Sequence, residues 1–160
     1  MKGRYVTQDP VPLSVNWSAA FKDPAAFAAL LAEDVVLEAS AIREPAVGRK
    51  AVQAIMTAGS RLYREIVFRN PATTGATTYS EWRAVSVDGA TVYEGVTVLT
   101  RDSAGAVKRV AIHHRPLGAL LRFSAEMAQS LRGVLPVEVF YTDARAHQCP
   151  REPSNPRSGH

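Results

Sequence analysis

A single cysteine, Cys149, stands in a chain of 160 residues. One thiol makes no disulfide framework and no cysteine-based zinc site, so whatever core forms must hold without covalent or metal staples. Long hydrophobic runs are missing as well. None reaches the roughly 18 residues a membrane-spanning helix needs. The opening residues, MKGRYVTQDPVP, carry Lys2 and Arg4 but no apolar stretch of the kind a secretory signal uses. A reduced, cytoplasmic setting is therefore the expectation. Charge of one sign is scarce in blocks: 19 basic residues oppose 15 acidic ones for a net charge of +4, yet no run of five basic residues occurs. The densest basic stretch, KRVAIHHRP, alternates with apolar residues like a strand. Dispersed positive charge of this kind serves solubility, and with no nucleic-acid-binding motif present, no nucleic-acid partner is expected.

What is present suits one globular domain. Apolar residues make up 46% of the chain, enough for a sizeable core at this length. Residues 1–10 read as an N-terminal extension, 11–141 as a single domain, and 142–160, polar with three prolines, as a flexible tail. Residues 11–21 show a helical stripe through Val11, Val15, Trp17 and Phe21. Asp23-Pro24 is an N-cap followed by proline at the first helical position, and predicts a helix over AAFAALLA that stops near Glu33-Asp34. A short strand follows over 35–41, a loop over REPAVG, and a helix over RKAVQAIMTAGSRLY.

The pattern then turns to strands, at 64–70, 77–87, 90–100 and 106–114. Asp88-Gly89 marks a two-residue hairpin turn that pairs Val87 with Ala90, and DSAG at 102–105 marks a second turn. Pro116 ends the last of these strands. An amphipathic helix over 117–133, with Leu120, Leu121, Phe123 and Met127 inward, closes at Gly133, and 137–141 reads as a final short strand. Early helices followed by an antiparallel meander define an α+β class: a cone in which a curved, mostly antiparallel sheet wraps helices around an internal pocket.

Three stretches, LLAEDVVLEASA with VGRKAVQAI, SEWRAVSVDG, and EGVTVLTRDSAGAVKRVAIHHRPLGALLRF, resemble the nuclear-transport-factor-2-like superfamily in its SnoaL-like branch. The resemblance covers roughly residues 15–130 and implies the cystatin-like cone. It also implies small-molecule chemistry, since the superfamily includes ketosteroid isomerase, polyketide cyclases and limonene epoxide hydrolase, alongside non-catalytic binders. The catalytic groups of the isomerase and the hydrolase do not carry over. The isomerase's general-base aspartate falls on Ala39, its second carboxyl on Thr97 and its tyrosine at or near Trp17. The hydrolase's arginine and aspartate fall on Gly95 and Thr97.

Strand register offers a separate reading. Setting Thr100 opposite Val107 across the DSAG turn places Thr97 opposite Val110, Gly95 opposite Ile112 and Tyr93 opposite His114, and directly opposed residues share a face. The Asp-Gly turn places Ser80 opposite Thr97, Trp82 opposite Gly95 and Ala84 opposite Tyr93. A bulge in either hairpin flips one of these sets. The expected pocket is lined by Trp82, Thr97, Ile112, His114 and Tyr93, closed by Trp17 and Phe27, with Gly95 leaving space for a ring. These are the expected substrate contacts for a planar, apolar molecule.

His114 is the candidate acid/base, with Tyr93 beside it as a second catalytic group. The bland alternative is a core histidine that hydrogen-bonds Tyr93 and does no chemistry. His113 points to the other face, so the pair is no metal site, and neither metal nor cofactor is expected. That outer face, with Glu81, Arg83, Glu94, Val96, Val98, His113 and Arg115, forms a charge network in which Glu94 lies opposite both Arg83 and His113. It is the expected homodimer surface. Glu38, one residue from the isomerase position, alternates away from the pocket. Three functions stay open: a cofactor-independent enzyme for isomerisation, cyclisation, dehydration or hydrolysis of an apolar, polyketide- or terpenoid-like metabolite; a binder using the same pocket; or a dimerisation domain whose cavity is filled.

Overall fold

The structure, a computed structural model, describes residues 23–142 together with Trp17 and Ala20. The expected N-terminal extension, most of the first helix, nearly all of the tail and Cys149 lie outside the described residues. Trp17 and Ala20 are helical and buried.

Asp23 caps α1, Pro24–Leu30, accepting from the N–H groups of Ala25 and Ala26 at 3.0 and 3.2 Å. The helix ends sooner than its alanine-rich sequence predicts. The chain extends at Leu31 and runs as β1, Leu31–Ala39. Tertiary pairing overrides helix propensity here. Leu31 already pairs with Val107, and its carbonyl accepts from Arg49 Nη2 at 2.7 Å and Nε at 3.0 Å. The expected REPAVG loop holds a two-residue strand, β2, Ala46–Val47. Helix α2, Arg49–Ser60, buries Val52, Ile55 and Met56. The meander is β3, Tyr63–Thr74, β4, Thr77–Ser86, β5, Val92–Arg101, and β6, Val107–Arg115. Helix α3, Leu117–Ser130, follows, with Gly133 lying beyond its end at φ 81°. The expected strand at 137–141 is instead a 3-10 turn, Val137–Val139, after which Phe140 makes one isolated bridge to Ile42.

The six strands form one curved sheet in the order β2-β1-β6-β5-β4-β3. All neighbours are antiparallel except β1 and β6. Helices pack on the concave side, as the α+β cone requires.

Both hairpins differ from expectation in a way that preserves the faces. The Asp88 turn is wider than two residues: the ladder closes at Val85 and Val92, and Asp88 Oδ1 accepts from Ser86 Oγ at 2.5 Å and from Ala90 N–H at 2.9 Å. These bonds hold the Asp88 carboxyl below its ordinary range. The pairs Ser80–Thr97, Trp82–Gly95 and Ala84–Tyr93 nonetheless stand as expected. Across the second turn, Thr100 pairs with Arg109 rather than Val107, because an irregularity sits at Arg101. The shift is two residues, so no side chain changes face. Its effect is to set His114 opposite Gly95 and Ile112 opposite Thr97.

Candidate functional site

Alternation along the meander builds the site. Trp82, Thr97, Leu99, Val110 and Ile112 point inward and are buried, while Glu81, Arg83 and His113 point outward and are exposed. At Gly95 a side chain has no room. A Cβ there would stand 2.3 Å from the His113 carbonyl oxygen and 2.4 Å from Trp82 Cζ2. The space expected to serve a ligand ring is taken by the indole of Trp82 itself.

The concave side holds a partly open cavity of about 40 Å³. Of the expected residues, Trp82, Thr97, Ile112 and His114 line it. Trp17 and Phe27 do not. They pack on each other deeper in the core, rings 4.8 Å apart and edge to face. Tyr93 does not line it either. Ala39 and Thr97, the positions the resemblance gives to the isomerase carboxyls, both face the cavity and bring no charge.

The polar centre of the cavity is a pair in which only one member was expected. Tyr63 Oη lies 2.8 Å from His114 Nε2. The hydrogen bond expected from Tyr93 therefore comes from Tyr63, and the Tyr93 ring stands 6.5 Å from the imidazole. The sequence pattern puts Tyr63 at the end of the helix over RKAVQAIMTAGSRLY, but that helix stops at Ser60 and Tyr63 opens β3. It lies three residues from Ile66, which puts the two on opposite faces of a regular strand. A register shift between Tyr63 and Glu65 turns Tyr63 inward, so it joins Ile66 and Phe68 in lining the cavity.

The backbone of His114 is pinned by Ser40, just past the end of β1. Its N–H donates to Ser40 Oγ at 3.1 Å, and that hydroxyl donates to the Ile112 carbonyl at 3.1 Å. Burial pushes the His114 imidazole down to about 4, with the nearby His113 adding to the effect. Burial likewise pushes the Tyr63 phenol well above 10, helped by Tyr93. Both groups are neutral at pH 7. A neutral imidazole has one donor and one acceptor nitrogen, and Tyr63 engages Nε2. Nδ1 is buried without a hydrogen-bond partner among the described residues.

Aromatic rings surround the pair. Trp82 meets His114 edge to face at 4.7 Å. Phe123 and Met127 of α3, which the sequence pattern marked only as inward-facing, complete the wall. Among the described residues, no three His, Cys, Asp or Glu side chains gather as a metal-ligand cluster.

The outer face carries the charges expected of it, with one change of partner. Glu94 lies opposite Arg83 on one side and Arg115 on the other, and pairs with Arg115 at 2.5 Å. His113 lies opposite Val96 instead, a consequence of the two-residue shift. Glu38 forms an ion pair with Arg109. Among the described residues, no helix is long and apolar enough to cross a membrane.

The sequence matches no family pattern and no curated protein. Solved structures do resemble the fold. A bacterial protein with a cystatin-like fold from Silicibacter pomeroyi superposes with a TM-score of 0.71 at 20% identity, over 81% of this chain and 92% of its own. A steroid delta-isomerase from Pseudomonas aeruginosa gives 0.68 at 18% identity, over 79% and 97%. An NTF-2 like protein from Burkholderia xenovorans gives 0.54 at 18% identity, over 64% and 78%. The chain thus has the cystatin-like, nuclear-transport-factor-2-like fold that its sequence resemblance implies.

Proposed function

We propose that the chain is a SnoaL-like small-molecule enzyme that carries out cofactor-independent acid/base chemistry on an uncharged, apolar metabolite. The observation that carries this reading is the half-buried Tyr63–His114 hydrogen bond inside an otherwise apolar cavity. In this reading His114 exchanges the proton, Tyr63 holds the imidazole and its tautomer, and Trp82, Thr97 and Ile112 contact the substrate. A resting value of about 4 makes the imidazolium short-lived. A proton taken from one position of the substrate is returned to another in the same turnover. That balance suits isomerisation or cyclisation better than hydrolysis.

A binder is the second reading, favoured by Ala39 and Thr97 standing where the related isomerases carry carboxyls. One experiment separates the two. Compounds retained by the protein from a cell extract are identified by mass spectrometry, then offered to the wild type and to His114→Gln. The enzyme reading expects turnover by the wild type and a loss of at least about 100-fold in the variant, with unchanged circular dichroism. Retention without turnover leaves the binder. Retention of nothing rejects both.

We also propose that a second copy pairs on the convex sheet face. Val67, Tyr79 and Val92 are exposed there beside charges of both signs, as a self-complementary contact requires. Sedimentation should show a dimer that Tyr79→Lys dissociates. A wild-type monomer rejects this assignment.

A further inference from the structure

A cavity of about 40 Å³ has room for about three waters. A site for a small organic molecule needs some hundreds of cubic ångströms. What takes up the difference is α3. The ring of Phe123 lies stacked on Tyr63, 5.2 Å between centroids and 21° between planes. It stands 5.5 Å from the His114 ring and 5.6 Å from the Tyr93 ring. Gly59 of helix α2 backs it, where a Cβ would stand in ordinary contact, 3.4 Å from Phe123 Cζ and 3.6 Å from Met127 Sδ.

These are the contacts that an aromatic ligand would make: its face on a phenol, its neighbour an imidazole. No Lys, Arg, Asp or Glu lines the cavity, so nothing there would offset the cost of burying a charged occupant. The helix that delivers Phe123 is held at the next residue. Ser124 Oγ donates to the Ala41 carbonyl at 2.6 Å and accepts from Tyr141 N–H at 2.8 Å. At its N-terminal end, Leu117 and Gly118 are exposed.

We propose that Phe123 is a built-in occupant of the ligand site, and that the ligand is an uncharged planar ring compound that displaces it from Tyr63 and His114. This rests on reading the cavity as a small-molecule site. It adds a competitor within the chain. The ligand binds only the conformers in which Phe123 has moved away, so the ring lowers apparent affinity by the fraction of time it is in place.

The test uses indole as probe, on the full chain. Saturating indole should bind the wild type weakly and shift the ring resonances of Phe123 and Tyr63. Phe123→Ala should bind indole about tenfold more tightly, since the competitor is gone. Leu120→Ala is the control: Leu120 is as deeply buried on the same helix but does not line the cavity, so its removal opens space elsewhere. It should give no gain in affinity. Should Phe123→Ala fail to fold, Phe123→Leu keeps an apolar side chain without the flat ring, and its affinity should rise in the same direction. Equal gains in the Phe123 and Leu120 variants, or a wild type whose Phe123 resonances do not move at saturating indole, overturn the proposal.

The catalytic reading fails separately. Indole binding needs no turnover, so a gain in Phe123→Ala beside a rate unaffected by His114→Gln keeps the self-occupied site and discards the enzyme. Turnover that depends on His114, with no gain from any Phe123 variant, does the reverse.

Discussion

Strands β4, β5 and β6 present two faces built on one backbone, and the faces obey different physics. On the concave side Trp82, Leu99 and Val110 are almost wholly buried. On the convex side Tyr79 is 46% exposed and Glu94 meets Arg115 in an ion pair open to water. Removal of apolar surface from water acts only on the first, and exposed ion pairs contribute little on the second. The register of the sheet is thus fixed from inside, since a slip by one residue would turn the charges inward. The convex face is left free to carry charge without endangering the fold.

Substitutions that move between the faces should show this difference as a gradient. Trp82→Ala should cost the most, about 4 kcal/mol, because it empties the centre of the concave face. Urea midpoints against the wild type measure it, and a cost below about 1 kcal/mol would mean that the face is not the stabilising one. Gly95→Ala should cost about 3 kcal/mol, since its methyl group meets a backbone carbonyl as well as the indole. The same variant should lengthen the Tyr63–His114 contact, which a crystal structure would show.

Acid provides a third probe of the concave side. His114 is held near 4 against an ordinary 6.5. Between those values the unfolded chain binds a proton that the folded chain refuses, so stability falls as pH drops from about 6.5 towards 4 and levels off below. The loss should reach up to about 3 kcal/mol. His114→Gln should remove that part of the slope when urea midpoints are compared at neutral and acid pH. An identical slope in both proteins would place the imidazole in a wetter setting than the structure gives it. On the convex side, Arg115→Ala should cost less than about 1 kcal/mol, and added salt should shrink even that. A larger loss would place this ion pair inside the proposed contact between copies and not at its exposed rim.

The difference between the faces also explains what was legible beforehand. Period-two alternation and the Asp88 and Asp102 turns are local signals, and together they place Trp82, Thr97, Ile112 and His114 on one side correctly. The second hairpin's register is misread by two residues, yet the faces survive because two is the period of the strand. Tyr63 fails for the opposite reason. The helical spacing through Leu62 draws it into a helix that in fact ends at Ser60, and within β3 a bulge shifts parity by one, which nothing around Arg64 announces. Leu31 fails because its fate is decided by Val107 and Arg49, far away in sequence. Phe123 was legible as an inward residue of an amphipathic helix, but its stacking on Tyr63 depends on how the helix crosses the sheet, which no periodicity encodes.

The one parallel pairing in the sheet, β1 with β6, has a consequence for how the chain is made. The hairpins of the meander join segments that are close in sequence and can zip up as they form. Strand β1 has no such neighbour on its long side. Its partner lies roughly 75 residues further on, so during synthesis β1 is exposed until β6 has left the ribosome. Over that interval β1 can rest on α2 and pair with the two residues of β2, but its longer edge has no strand to bond. The vulnerable moment in this protein's life should come before it is finished, and a pause in translation ahead of residue 107 should raise aggregation more than one placed after β6.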